Sequence, residues 1–325
     1  EIRLSLVGSE MCIRDSIYRT DDQILHEVHE IHEGVWVSLS APTVAETQKM
    51  ADELDIDIDD IRASLDEEES SRIELKDGYT LILVDVPITE IRHDREVYTT
   101  LPLAIILTQD IIMTVSKEEH NAVIAAFIDG KIRDFSTKKK LRFVYQILFR
   151  TAMLYQAELR IMDKKRIEIE EHVGDKTEDS DLIALHELES TLVYFATSLR
   201  ANRVVLERLS HYKRLQQYPD DIELLEDVVV ETQQAIEMAS IYKDIINGTR
   251  ELLSSVLNSR LNNVMKYLTS ITLVMAFPTV ISGLYGMNVA GMPFANDING
   301  FMIICIMIIV ICIVVAFWLK RNKML

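Results

Sequence analysis

The C-terminal part of the chain contains two long stretches without a charged residue. Thirty residues separate Lys266 from Asp297, and another 22 separate Asp297 from Lys320. About 20 apolar residues are enough for a helix to cross the hydrocarbon core of a bilayer. The sequence therefore predicts two transmembrane helices, at 267–288 and 298–319, and no other feature constrains the fold as strongly.

The two segments differ in polarity. The first contains Pro278 and several Ser, Thr and Gly residues, whereas the second is almost entirely Ile, Val, Met and Phe. We expect the first to face protein or water and the second to face lipid, with Cys305 and Cys312 as small apolar residues in lipid. Basic residues flank the inner ends, which places both termini in the cytoplasm, the loop 289–297 outside and the tail 320–325 in the cytosol.

The charge balance excludes several classes of protein. The 325 residues carry a formal net charge of −18, and because residues 264–325 sum to +3, residues 1–263 carry −21. Nucleic acid is not an expected partner of so acidic a chain. We find no secretory signal peptide, so the acidic part is expected in the cytosol beside the inner cell membrane. The sequence has no glycine-rich phosphate loop, no C-x-x-C pair and no nucleophile elbow, so neither an enzyme nor an organic cofactor is expected.

An α/β domain is predicted at 17–133. The run 35–39 has the character of a strand, and Thr43 and Glu46 form a capping box that starts a helix ending near Leu54. The histidine-rich run at 26–33 lacks the spacing of a zinc site and is expected to be a surface strand or loop. Residues 1–16 show no pattern and resemble translated adaptor sequence, so they are left out of the fold. Further strands are predicted at 71–75, 79–87, 100–107 and 110–115, the last two as a hairpin.

The remainder of the N-terminal part has helical periodicity. Long helices are predicted within 134–219, at about 138–172 and 180–212, followed by a stalk at 220–266. Only Gly248 and Pro278 interrupt the pattern between Asp221 and Leu284, so stalk and first transmembrane segment are expected to form one helix of roughly 95 Å. Two acidic segments, at 52–69 and 168–181, are either loose divalent-cation sites or solvated surface, and the sequence leaves both open.

A short motif closes the first transmembrane segment. Tyr285-Gly286-Met287-Asn288 follows the run Asn262-Asn263-Val264-Met265-Lys266 and precedes Met292-Pro293. With the two-helix C-terminal placement, this pattern resembles the CorA family of magnesium transporters. Trp36-Val37-Ser38-Leu39, Pro42-Thr43 and Ser71-Arg72-Ile73-Glu74 extend the resemblance over residues 34–325.

The resemblance implies an α+β cytosolic domain in a funnel, a long helical stalk, and a homopentamer whose central pore is lined by the first transmembrane helix. It assigns ion selectivity to Gly286, Met287 and Asn288, and we expect Met287 to pack against the second helix. Mg²⁺ would be both the transported ion and a regulator that closes the pore from the cytosol. Glu251 corresponds to the stalk carboxylate of that sensor; Asp85 and the segment 52–69 are candidates for its partner.

Periodicity supports a pore independently. One helical face carries Met265, Leu268, Thr272, Ala276 and Thr279 at steps of three and four, and Leu284 and Asn288 are expected to continue it. The same spacing also suits ordinary helix packing through small residues. Neutral oxygens from a ring of Asn288 would bind hydrated Mg²⁺ without stripping its waters, and rings of Met265 and Leu268 would form a hydrophobic gate.

Two other functions stay open. Relatives in the same superfamily export zinc or move cobalt and nickel, and the triplet does not separate these ions. The outer loop 289–297 is neutral up to Asp297, so electrostatic recruitment of cations there is expected to be weak. A membrane-anchored helical scaffold that conducts nothing is the second alternative, although the polar first helix favours a pore.

Overall fold

The computed structural model describes residues 15–21, 24–92, 95–132, 134–171, 179–212, 218–287, 292–294, 298–322 and 324. These residues form two compact units. The first unit comprises the described residues up to Gly248, and the second comprises those from Thr249 onward.

A seven-stranded mixed sheet forms the centre of the first unit. Its strand order is β2-β1-β3-β7-β6-β5-β4. The β3–β7 pair is parallel and the other neighbours are antiparallel. The strands are β1 (Asp15–Asp21), β2 (Ile24–Val28), β3 (Trp36–Ser40), β4 (Arg72–Leu75), β5 (Tyr79–Arg92), β6 (Arg95–Thr108) and β7 (Ile112–Ser116).

The described residues also include seven α-helices. The predicted capping box is confirmed, because Thr43 accepts from the Glu46 amide while the Glu46 carboxylate accepts from the Thr43 amide. The helices are α1 (Val44–Leu54), α2 (Ile58–Arg62), α3 (Ala122–Ile128), α4 (Lys140–Glu171), α5 (Asp179–Leu209), α6 (Pro219–Tyr285) and α7 (Gly300–Arg321).

The predicted strands are present, and two of them were predicted too short. The hairpin before β7 is confirmed, but β5 and β6 each have 14 residues and pair along their whole length. Strand β1 was not predicted. Asp15 and Ser16, which the sequence analysis left out of the fold, pair with Leu39 and Ser38 of β3. The histidine-rich run is a strand and a bend, as expected.

The two faces of the sheet bury different partners. Alternate residues of a strand point to opposite faces, so Ile82 and Val84 pack with α3, α4 and α5, whereas Leu81 and Leu83 pack with α1 and α2. The fully buried Trp36 contacts an aromatic cluster at ring-centroid distances of 5.0–6.4 Å, and its indole N–H donates to Thr114 Oγ1 at 2.9 Å. The cluster consists of Phe127, Phe135 and Phe143.

Helix α6 runs without interruption from Pro219 to Tyr285, through Gly248 and Pro278. The prediction of one helix from stalk to first apolar segment is therefore confirmed. Among the described residues, α6 and α7 are the two helices long and apolar enough to cross a membrane.

Candidate functional site

One face of α6 contacts α7 and the tail that follows it. Ser270 is fully buried and its hydroxyl donates to the carbonyl of Met324 at 2.7 Å. The carbonyl of Val274 accepts from the Cys312 thiol, with a sulfur–oxygen distance of 3.8 Å. At about 100° per residue, these two residues and the partly buried Pro278, Ile281 and Tyr285 lie within roughly 80° of one another.

The face predicted to line a pore lies on the other side of α6. All of its members are exposed in this chain, Met265 at 59% and Leu268 at 65%. Its centre lies about 160° around the helix axis from the face that contacts α7. The members are Met265, Leu268, Thr272, Ala276 and Thr279. The second helix of the same chain therefore leaves this face uncovered.

Two residues near the C-terminal end of α6 change which residues belong to that face. Leu284 is 54% exposed, but it follows Thr279 by five residues and so lies about 140° around the helix from it. Gly283 follows Thr279 by four residues, is exposed, and continues the face instead. The i, i+4 spacing in the sequence was the signal that could have identified Gly283.

The threonine hydroxyls on this face donate their protons to backbone carbonyls of α6. Thr272 Oγ1 donates to the carbonyl of Leu268 at 2.8 Å, and Thr279 Oγ1 donates to the carbonyl of Met275 at 2.9 Å. A hydroxyl has one proton and two acceptor lone pairs. With the proton directed to the helix backbone, each hydroxyl offers only acceptor oxygen to whatever lies outside α6.

Hydrogen bonds among the described residues hold the C-terminal end of α6. The amide of Gly286 donates to the carbonyl of Ser282 at 2.9 Å, and the amide of Met287 donates to the carbonyl of Leu284 at 3.2 Å. The Tyr285 hydroxyl donates to the carbonyl of Pro293 at 3.3 Å. A Cβ at position 286 would approach the Ser282 carbonyl to 3.3 Å, so glycine suits this close turn.

The structure describes only part of the predicted selectivity triplet. Met287 is 54% exposed in this chain, and its packing against the second helix stays a prediction. Asn288 lies outside the described residues. The role of the triplet in ion selection stays a prediction.

Asp85, the candidate regulatory carboxylate, belongs to a buried polar cluster of the first unit. Burial raises the pKa of its carboxyl group above the usual range, and hydrogen bonds from the Ser198 and Ser71 hydroxyls oppose this rise. Tyr155, fully buried, donates to the Asp85 carbonyl at 3.2 Å. Glu251, its proposed counterpart, is an exposed residue of α6 in the second unit. The sensor pair therefore stays a prediction.

The acidic segment 52–69 is largely engaged in structural contacts. Asp57 caps α2, Asp60 accepts from Tyr79 at 2.5 Å and pairs with Lys76 at 3.2 Å, and Glu69 pairs with Arg72. In the part of the chain that the structure describes, no group of three or more His, Cys, Asp or Glu side chains is arranged to hold a metal ion. These contacts favour structural and solvated carboxylates over a resident cation at this segment.

Comparison with known proteins identifies the family. The sequence model of the CorA-like Mg²⁺ transporter proteins matches residues 32–321. The cobalt/magnesium transport protein CorA of Methanocaldococcus jannaschii is 27% identical over 310 residues, which are 93% of each chain. A zinc transport protein, ZntB of Yersinia pseudotuberculosis, is 36% identical over 73 residues, which are 22% of each chain.

The fold leads to the same family. The complete structure of the CorA magnesium transporter from Methanocaldococcus jannaschii superposes with a TM-score of 0.80 at 25% sequence identity, covering 94% of this chain and 97% of that one. The α/β domain, the long helix and the C-terminal apolar helix are shared. This chain therefore belongs to the family of CorA-like Mg²⁺ transporter proteins.

Proposed function

We propose that this chain forms a homopentameric channel that lets Mg²⁺ flow passively into the cell. The observation that carries the proposal is the placement of the mixed polar and apolar face of α6 opposite the face that contacts α7. A single chain would leave this face against lipid, where polar groups are costly. Further copies of the chain would cover it, and the resemblance to the CorA family gives their number as five.

The chemistry of the face suits a hydrated cation. Mg²⁺ loses its octahedral waters reluctantly, and those waters present hydrogens outward. Thr272 and Thr279 offer acceptor oxygens because their own protons are bound to backbone carbonyls. A ring of Asn288 amide oxygens at the outer end would accept from the same waters. The ion would thus pass with its first shell intact.

Gating is assigned to the inner part of the same face. Met265 and Leu268 are apolar and exposed, and five copies would form a hydrophobic constriction that closes by dewetting. Cytosolic Mg²⁺ would favour the closed form by relieving repulsion between carboxylates of neighbouring chains, with Glu251 and Asp85 as the candidate pair. No organic cofactor or nucleotide takes part, because the ion gradient and the membrane potential drive the flow.

The orientation follows from charge. Lys320 and Arg321 lie in the last turn of α7, and Lys266 precedes the apolar part of α6, so both termini would lie in the cytoplasm of a cell whose inner membrane holds the chain. The charge of −21 on residues 1–263 would then concentrate cations at the inner mouth.

Two other functions are weighed against this one. A zinc, cobalt or nickel transporter is supported by the similarity to ZntB, which is named as a zinc transport protein. A non-conducting scaffold would need no uncovered polar face on α6, so the exposure of Thr272 and Thr279 argues against it.

Ion flux into liposomes that contain the purified full-length chain tests the proposal. We expect Mg²⁺ flux that Asn288→Ala abolishes and that falls as Mg²⁺ rises on the cytosolic side. Asn322→Ala is the matched control, because Asn322 is an exposed asparagine at the end of α7 and should leave flux unchanged. Zinc flux without Mg²⁺ flux would identify an exporter, and no flux of any ion through folded oligomers would identify a scaffold.

A further inference from the structure

Pro278 leaves one carbonyl of α6 without its helical partner. Each amide of an α-helix donates to the carbonyl four residues earlier, and proline has no amide hydrogen. Because α6 continues through Pro278, the carbonyl of Val274 loses the donor that position 278 would supply. In a lipid environment no water molecule can replace the missing amide donor, and neighbouring helices commonly supply a donor instead.

The structure places a donor from α7 at this carbonyl. Cys312 Sγ lies 3.8 Å from the Val274 oxygen and 38 residues away along the chain. Cys312 is half-buried, on the stripe of α7 residues that are less exposed than their neighbours. The apolar sequence around Cys312 predicts a side chain in lipid, and the contact with α6 corrects that expectation. A thiol is a weak donor, but nothing stronger is required where no water competes.

We propose that the Cys312 thiol is a positioning group, which supplies to the Val274 carbonyl the hydrogen bond that Pro278 cannot make. The contact joins α7 to α6 at the position where the α6 ladder is interrupted. It acts through Val274 and not on the ion itself.

The location of this hydrogen bond links it to conduction, and that link rests on the proposed channel function. Val274 and Pro278 lie on the α7 side of α6, between Thr272 and Thr279 along the chain. A contact here fixes how far α6 is rotated relative to α7. It therefore sets the direction in which the two threonine hydroxyls point.

Infrared spectroscopy of the S–H stretch tests the hydrogen bond without reference to flux. The full chain with Cys12→Ser and Cys305→Val contains Cys312 as its single thiol. We expect its S–H band at the lower frequency of a hydrogen-bonded thiol. Adding Pro278→Ala supplies an amide hydrogen to Val274 and should shift the band toward higher frequency. A band at the free-thiol position, or one that Pro278→Ala does not move, would overturn the proposal.

A double-mutant cycle on Mg²⁺ flux tests the positioning role. Cys312→Val keeps the volume and removes the donor, and losing a bond of this strength should lower flux about two- to five-fold. Cys312→Ser keeps a donor and should retain flux, while Cys305→Val, two turns away on the same stripe, should have no effect. In a Pro278→Ala background, Cys312→Val should not lower the Mg²⁺ flux any further.

Two results of the cycle would overturn the positioning role. One is an equal loss of flux from Cys312→Val in both backgrounds, and the other is no loss in the chain that retains Pro278. If the unsubstituted chain conducts no ion, the proposed channel function fails instead, and the infrared result still decides whether Cys312 bonds to Val274.

Discussion

Asn202 of α5 takes the place of a missing strand beside β5. Strand β4 pairs with β5 only from Thr80 to Leu83, so no strand of the described residues lies beside the next part of β5 on that side. There the Asn202 side chain accepts from the Asp85 amide at 2.8 Å and donates to the Asp85 carbonyl at 2.7 Å. Ser71 Oγ lies 2.9 Å from Asn202 Oδ1. One amide side chain thus completes the hydrogen bonding of a buried backbone position.

We predict that Asn202→Ala destabilises the first unit by about 3 kcal/mol. A buried donor left without an acceptor costs roughly 1–3 kcal/mol, and each other lost hydrogen bond about 1 kcal/mol. The Asp85 amide becomes such a donor, whereas the Asp85 carbonyl keeps its bond from Tyr155. For a unit of this size, each kcal/mol of lost unfolding free energy lowers the melting temperature by about 2–4 °C. We therefore expect the melting temperature to decrease by about 6–12 °C.

Tryptophan emission reports this unit selectively. The chain has two tryptophans, Trp36 in the core of the first unit and Trp318 in α7. In a Trp318→Phe background, Trp36 emission during thermal unfolding in detergent follows the first unit alone. Gln48→Ala is the control, because Gln48 is an exposed amide that bonds to Asp52 at 2.9 Å, and its loss should cost under about 0.5 kcal/mol. If Asn202→Ala lowers the midpoint no more than Gln48→Ala does, the reasoning about the buried backbone is refuted.

Three further predictions concern the same unit. Thr43→Ala removes the cap of α1 and should cost about 1 kcal/mol in urea unfolding followed by Trp36 emission, with Thr43→Ser as the conservative control; equal midpoints for Ala and Ser would contradict the capping role. Burial, and then the hydrogen bond to Asp60, raises the pKa of Tyr79 to about 12. The folded chain therefore holds this proton longer than the unfolded chain, whose tyrosine pKa is about 10, so stability should fall as pH rises from about 10 to 12. Melting temperatures across this range should show the fall, and its persistence in Tyr79→Phe would rule out Tyr79 as its source. Burial also raises the pKa of the Asp85 carboxyl group above its pKa in the unfolded chain. The protonated carboxyl group therefore stabilises the folded chain at low pH, and this contribution is lost as pH rises from the unfolded pKa through the folded pKa. Asp85→Asn should abolish this loss and raise the melting temperature at neutral pH. If Asp85 holds regulatory Mg²⁺, the substitution should also abolish the stabilisation by added Mg²⁺. A Mg²⁺ effect that survives the substitution would exclude Asp85 as a ligand.

Elements with local signals were predictable from the sequence. The capping box at Thr43 and the long helices depend on residues a few positions apart, and their predicted limits lie within a few residues of those observed. The residues that share one exposed face of α6 were predictable for the same reason, since periodicity along one helix needs no knowledge of its neighbours.

Elements defined by distant partners were not predictable. Strand β1 has little alternation and is held by β2 and β3. The prediction ended β5 at Pro87, yet the strand continues, because β4 ends before this position and no ladder bond is lost. Pro102 of β6 likewise lies just beyond the residues that pair with β7. The bonds from Asn202 to Asp85 and from Cys312 to Val274 join residues 117 and 38 positions apart, beyond the reach of any sequence pattern.

The parallel β3–β7 pair has a consequence for the order of events during synthesis. It joins Trp36 to Ile112, so the sheet cannot close until the ribosome has released residues up to Ser116. The uncharged parts of α6 and α7 begin only after Lys266. Since chains emerge N-terminus first and domains fold as units, we expect the sheet to be complete before either apolar helix reaches a translocon. Stalled nascent chains that end before Lys266 should already resist protease across β1 to β7.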